Sequence, residues 1–315
     1  MRLTRREFLK LCSASAVGVG ISQLYIPKVV EALEQAAAGK PPVIWIQGAG
    51  DSGCSVSILN TAHPSIAEVL LKIISLEYHP TVMAGAGEMA TSYMDIISEK
   101  ARGDFFLIVE GAIPTKDGGV YCTIGEKNGK HITMLEATKI LGAKAKAIIA
   151  LGTCATHGGI PAGNPNPTGA MGVRDVIGLG TPVINIPGCP AHPDWLVGTL
   201  VHVLLYGLPE LDRELRPIIF FGDSIHQNCP NYSYYNSGEL AQKFGDKGCL
   251  IQLGCKGPMT NSDCPLRRWV RGTEWCVGVG APCIGCCSPG FPDEVSPLYA
   301  ALPKEKWPAK ETELA

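Results

Sequence analysis

The sequence is short of charge, of aromatic rings and of long apolar runs. Charged residues make up 18% of the chain and aromatic ones 7%, and 27 Lys and Arg nearly cancel 29 Asp and Glu, leaving a net charge of -2. Beyond position 40 the basic residues are scattered, so no stripe exists to meet a phosphate backbone, and nucleic acid is excluded as a partner. No run of 18 or more apolar residues follows residue 38, which excludes a spanning helix there; membrane contact is expected only through a partner. No fixed-period repeat occurs, which excludes a solenoid. What is there is a chain of 315 residues, 46% hydrophobic, long enough to bury a sizeable core.

The first 38 residues differ in texture. Thr4-Arg5-Arg6-Glu7-Phe8-Leu9-Lys10 precedes a mildly apolar stretch, Leu11 to Ile26, and Ala36-Ala37-Ala38 supplies small residues for cleavage. Paired arginines before such a stretch mark a twin-arginine export signal, spanning residues 1–38 and excluded from the fold. An ordinary amphipathic helix is the alternative, but it leaves the arginine pair unexplained. The signal implies a periplasmic protein exported already folded, a route suited to cargo that carries a cofactor.

Residues 39–215 alternate short β-branched runs with helical-period segments. Strands are expected at 43–47, 81–83, 105–110, 147–151 and 183–186, and helices at 56–76, 88–101, 132–141, 173–177 and 194–205. Strict alternation predicts an α/β fold, a doubly wound parallel sheet with helices on both faces. In such sheets ligands bind outside the carboxyl ends of the strands. Asp51 and Cys54 follow the first strand there, Cys154 the fourth and Cys189 the fifth. Glycines flank each, which lets backbone approach a bulky group. From residue 216 to 315 the periodicities fade, and glycine, proline and cysteine dominate, as expected of a loop-rich domain with an inorganic core. After Pro292 a surface arm is expected.

Of the thirteen cysteines, Cys12 lies in the leader. Twelve remain. An even number in an exported chain permits disulfides, but a chain this long needs no staples. Eight of the twelve crowd between 229 and 287, and Cys189, Cys229 and Cys264 each precede proline, a pairing that recurs in iron-sulfur ligation. Structural zinc is a further alternative. Neighbours in sequence group as His226, Cys229, Cys249 and Cys255, then Cys264, Cys276, Cys283 and Cys286. With Asp51, Cys54, Cys154 and Cys189 these make twelve donors, enough for three four-iron clusters. Cys122 and Cys287 stay unassigned.

Taken together, "SGCS" at 52–55, "EGAIPT" at 110–115, "GTCATHGGIPA" at 152–162, "PGCPAHPDW" at 187–195, "FFGDSIHQNCP" at 220–230, "LGCKGP" at 253–258 and "PCIGC" at 282–286 resemble the small, electron-transferring subunit of periplasmic nickel-iron hydrogenases. The resemblance covers nearly the whole chain. It implies a flavodoxin-like first domain with the proximal cluster on Cys54, Cys154, Cys189 and the position of Asp51, followed by an iron-sulfur domain. There His226, Cys229, Cys249 and Cys255 would hold the distal cluster, and Cys264, Cys283 and Cys286 the medial one. It also implies a separate large subunit that holds the hydrogen-activating centre, with no catalytic residue in this chain. Electrons would pass through the three clusters to an external acceptor such as a c-type cytochrome.

Two positions depart from the usual pattern. Cys276 stands where many members have proline and a three-iron medial cluster, so a medial [4Fe-4S] is expected, which makes the chain most similar to the nickel-iron-selenium branch. Asp51 replaces a cysteine. Its carboxylate ligates the fourth iron, or water or a large-subunit group does, or the cluster is [3Fe-4S]; the first is preferred, making all three clusters [4Fe-4S]. Competing readings are a stand-alone iron-sulfur electron carrier and the iron-sulfur subunit of a quinone-linked complex.

Overall fold

The computed structural model describes residues 40–61, 64–178 and 180–310; the leader at 1–38 lies outside them. Five parallel strands form the central sheet: β1 (Pro42–Gln47), β2 (Ser75–Tyr78), β3 (Phe106–Glu110), β7 (Ala147–Leu151) and β9 (Val183–Ile186), in the order β2-β1-β3-β7-β9. This is the doubly wound order expected of alternating strands and helices. Side chains alternate across the sheet. Val43, Trp45, Phe106, Ile108, Ile149 and Ile184 face one core, and Ile44, Ile46, Leu107, Val109, Ile148 and Ala150 the other. Both faces are covered, so the strands are apolar throughout.

Helices α1 (Gly53–Ile58) and α6 (Pro193–Tyr206) pack on the first face. On the second lie α2 (Gly87–Lys100), α3 (Met134–Gly142) and α5 (Val173–Ile177). The short helix α4 (Gly152–His157) follows β7 directly.

The second strand differs from expectation. Instead of a helix over 56–76 and a strand at 81–83, α1 stops at Ile58, a short helical stretch runs from Ile66 to Ile73, and β2 begins at Ser75. Ser65 accounts for the break: its side chain accepts from the Glu68 amide while Glu68 reaches back to the Ser65 amide at 2.9 Å, a capping box that starts a new helix. Two antiparallel pairs lie outside the main sheet. The shorter joins β4 (Ile113–Pro114) to β8 (Ala170–Met171). The longer is a hairpin, β5 (Thr123–Lys127) and β6 (Lys130–Thr133), on residues expected partly as helix. Asn128 and Gly129 turn it with φ of 52° and 70°, the left-handed pair such two-residue turns require.

Beyond residue 216 among the described residues there are short helices, 3-10 turns and isolated bridges, and the first core continues into this region through Phe220, Phe221, Ile225, Leu250 and Trp275. The segment after Pro292 packs back on this region. Ala300 accepts from Lys256 Nζ at 2.5 Å, Pro308 accepts from the Tyr235 hydroxyl, and Trp307 lies 6.5 Å from the Tyr235 ring. No helix among the described residues is long and apolar enough to cross a membrane.

Gly111, just past β3, has φ +83°, and a Cβ there would lie 2.7 Å from the Gly48 carbonyl carbon; Gly103 has φ +79° with nothing within 4 Å. Gly103→Ala is expected to cost about 1–2 kcal/mol from the left-handed conformation alone. Gly111→Ala should cost clearly more, because the backbone must also part. Denaturant unfolding of both variants measures this; an equal or smaller loss at Gly111 would contradict it.

Candidate functional site

Gln47 stands opposite Glu110, Glu110 opposite Leu151, and Leu151 opposite Ile186. Four strands therefore end at one level, and their loops open on the side where doubly wound sheets bind ligands. Asp51 and Cys54, Cys154, and Cys189 come together here from three loops. Burial first, then the charges of Glu110, Cys154 and Cys189, push the Cys54 thiol far above its ordinary value, against an opposing bond from the Ala191 amide at 3.4 Å. Cys189 is pushed up to about 11 by burial, then by Cys154, Cys286 and Asp51. Burial raises Cys154 too, with Asp51 and Glu110 adding to it. Asp51 is exposed, its Oδ1 accepting from the Gly53 amide at 2.8 Å. Two glycines make room: a Cβ on Gly152 (φ +86°) would lie 2.6 Å from Cys54 Sγ, and one on Gly159 (φ +52°) 3.0 Å from Cys154 Sγ.

A second group surrounds His226. Cys229 is pushed up to about 12 by burial and then by Cys255 and Cys249, and Cys249 to about 11 by burial and then by Cys255. The His226 ring is buried edge-on between Tyr235 at 4.7 Å and Tyr232 at 5.1 Å. Burial lowers its pKa and so favours the neutral ring. Its Nε2 is buried with no hydrogen-bond partner. Leaving such an atom unmatched costs about 1–3 kcal/mol, and a neutral imidazole nitrogen is a metal ligand.

The third group lies between the other two. Cys264 and Cys283 are both raised chiefly by burial, Cys264 next by Cys286 and Cys283 next by Cys255 and Cys286. Cys276, raised by burial, feels Cys286 and Cys255. Cys287 is buried with its Sγ 4.0 Å from that of Cys286, whereas Cys122 packs on the opposite core.

None of the twelve described cysteines is in a disulfide. Among the described residues, no three His, Cys, Asp or Glu side chains converge closely enough for a single metal ion. Donors at about 2.0–2.3 Å from one zinc would have to lie within about 4 Å of each other. Spread sulfurs, an unmatched imidazole nitrogen and glycine cradles fit groups of several irons.

One residue here was not expected from the sequence. Glu110 ends β3 and is 1% exposed. Its Oε2 accepts from Trp45 Nε1 at 2.9 Å, Gln47 Nε2 at 3.0 Å and the Ser55 hydroxyl, and its Oε1 from the Ser55 amide at 3.0 Å. Four donors satisfy the buried carboxylate. Beyond it, His79 Nδ1 accepts from the Thr81 amide at 3.2 Å, which puts the ring proton on Nε2, 3.1 Å from Ser55 Oγ. Burial lowers the His79 pKa, and nearby Glu110 partly offsets this. The signal was a carboxylate closing the otherwise apolar "FFLIVE". Glu110→Gln turns an amide toward these donors and is expected to lower stability by about 1–3 kcal/mol; an unchanged denaturation midpoint would show that the donors find other partners.

With this geometry in place, similarity to known proteins is informative. The family described as the C-terminal part of the NiFe/NiFeSe hydrogenase small subunit matches residues 221–299, and that of the NADH ubiquinone oxidoreductase 20 Kd subunit matches 52–203. The chain is 53% identical to the periplasmic [NiFeSe] hydrogenase small subunit of Desulfomicrobium baculatum, over 96% of this chain and 100% of that one. It is 45% identical to the periplasmic [NiFe] hydrogenase small subunit 1 of Nitratidesulfovibrio vulgaris, over 94% and 93% of the two chains. The solved [NiFeSe] hydrogenase of D. baculatum superposes with a TM-score of 0.80 at 52% identity, over 84% of this chain and 100% of that one. The recombinant [NiFeSe] hydrogenase of Desulfovibrio vulgaris Hildenborough gives 0.80 at 50% identity, over 84% and 99%. The chain therefore belongs to the small-subunit family of periplasmic NiFe/NiFeSe hydrogenases, part of a hydrogen-oxidising oxidoreductase whose catalytic site lies in the large subunit.

Proposed function

We propose that this subunit relays electrons between the large subunit and an external acceptor through three iron-sulfur clusters. Cys54, Cys154, Cys189 and Asp51 hold the proximal one, Cys264, Cys276, Cys283 and Cys286 the medial, and His226, Cys229, Cys249 and Cys255 the distal, all [4Fe-4S]. The observation that carries the reading is the gathering of these donors into three neighbouring groups, with a buried His226 Nε2 that nothing else satisfies. Bound clusters supply one-electron storage and transfer. The chain's own residues hold the donors apart at fixed places, keep water from Cys264 and Cys283, and supply a neutral nitrogen at His226 in place of a thiolate, which raises potential in other iron-sulfur centres.

Residues 39–215 and 216–315 act as two units, each with its share of ligands. The twin-arginine leader sends the folded protein to the periplasm, where its relatives are named as residing, and a c-type cytochrome takes the electrons near His226. The large subunit is the partner for the opposite end, where Asp51 and Cys189 are exposed beside the exposed apolar Val56, Leu59 and Ile160. That apolar flank disfavours a stand-alone carrier, and the hydrogenase match over 221–299 disfavours a quinone-linked subunit.

Iron analysis and EPR of the purified heterodimer should give about twelve irons in three cubanes. Cys276→Pro should convert the medial signal of the oxidised protein to [3Fe-4S]; such a signal already present in the native protein would sink the medial assignment. Asp51→Cys should shift the potential and spectrum of the proximal cluster and make it more resistant to oxidation, because a carboxylate is a harder, less covalent donor than a thiolate. A variant matching the native protein in both would refute ligation by Asp51.

A further inference from the structure

Thr153 precedes Cys154 in α4 and is 1% exposed. Its amide donates to the Gly188 carbonyl at 2.9 Å, and its Oγ1 accepts from the Gly188 amide at 2.9 Å, so it grips the residue before Cys189 with two bonds. The same hydroxyl donates to the carbonyl of Cys286, which lies 133 residues further along the chain. One buried hydroxyl therefore ties together the backbones at Cys154, Cys189 and Cys286. The first two belong to the proximal set and the third to the medial.

This tie sets the two groups side by side, and a sulfur continues it: Cys287 Sγ lies 4.0 Å from Cys286 Sγ and donates to the Pro187 carbonyl at 3.8 Å, two residues before Cys189. On its far side the Cys189 loop is fastened to the Cys264 loop: Arg268 O lies 2.7 Å from His192 Nε2, and Asp263 Oδ1 accepts from Trp195 Nε1 at 2.7 Å. Those bonds hold the Cys189 and Cys264 loops together, whereas the Thr153 hydroxyl bonds directly to the Gly188 amide and to the Cys286 carbonyl.

We infer that Thr153 is a positioning residue for electron transfer: its hydroxyl holds the Cys286 backbone against the Gly188–Cys189 turn and so sets the spacing between the proximal and medial groups. This rests on the ligand reading proposed above. One electron passes between the two groups with no bond formed or broken and no proton moved.

The test uses the native heterodimer, chemically reduced, with EPR reading the spin–spin splitting and relaxation enhancement between the two groups. Thr153→Val keeps the shape and removes the hydroxyl; Thr153→Ser keeps the hydroxyl. The expected result is a weaker splitting in the Val variant, with iron content and the separate cluster signals unchanged, and recovery in the Ser variant. A merely structural hydroxyl would lower the unfolding midpoint and leave the splitting alone. If the Val variant fails to load iron, Thr153→Ala, which removes the same group without crowding, carries the comparison. Unchanged splitting in a fully loaded Val or Ala variant overturns the proposal alone, whereas a native protein lacking iron at either set overturns the ligand reading and the proposal with it.

Discussion

Thiols that are packed close together and out of water cannot carry their charges unaided, and most of this structure answers that constraint. Burial is the first cause raising Cys54, Cys154, Cys189, Cys229, Cys249, Cys255, Cys264, Cys276 and Cys283, and neighbouring sulfurs add repulsion for most of them. Backbone amides repay only part of this. Cys54 receives the Ala191 amide, Cys229 the Asn231 amide and Cys283 the Gly285 amide, each at 3.4 Å. As thiolates they would need the positive charge of bound metal, so that cofactor and fold would stabilise one another, as metal sites generally do.

The sheet supplies the rigidity that such crowding needs. Strands ending in register bring three loops to one level, and the buried Glu110 stitches β3 to Trp45 and Gln47 of β1 and to Ser55 beside Cys54. A carboxylate in this position also raises Cys54 and Cys154. Buried beside these thiols, it has its donors only within the fold, which makes its four hydrogen bonds a condition of the loop's stability.

Most of the sheet was legible in the sequence because buried parallel strands are apolar on both faces, and "AIIAL" and "FFLIV" allow little else. The second strand was not. Ser75–Tyr78 is an edge strand of four residues with alternating polarity, and the apolar periodicity before it ran on past a capping box at Ser65 that starts a fresh helix. The hairpin at 123–133 was announced only by Asn128-Gly129. Cysteines were legible because their spacing is chemistry; Glu110 and Thr153 were not, since a lone carboxylate or hydroxyl gains its meaning from partners 63 and 133 residues away, Gln47 and Cys286. The long-range ties between Trp195 and Asp263, 68 residues apart, were hidden for the same reason.

The segment that packs back on residues 216–290 bears on how the pocket around His226 takes shape. The Tyr235 ring that walls the imidazole is latched by its hydroxyl to Pro308, 73 residues on. Closing so long a loop carries an entropic cost that local contacts do not, and contacts of high sequence separation form slowly. The wall of the imidazole pocket is therefore borrowed from the far end of the chain: without residues near Pro308 the Tyr235 ring loses its hydroxyl partner, and the pocket loses the anchor of one side.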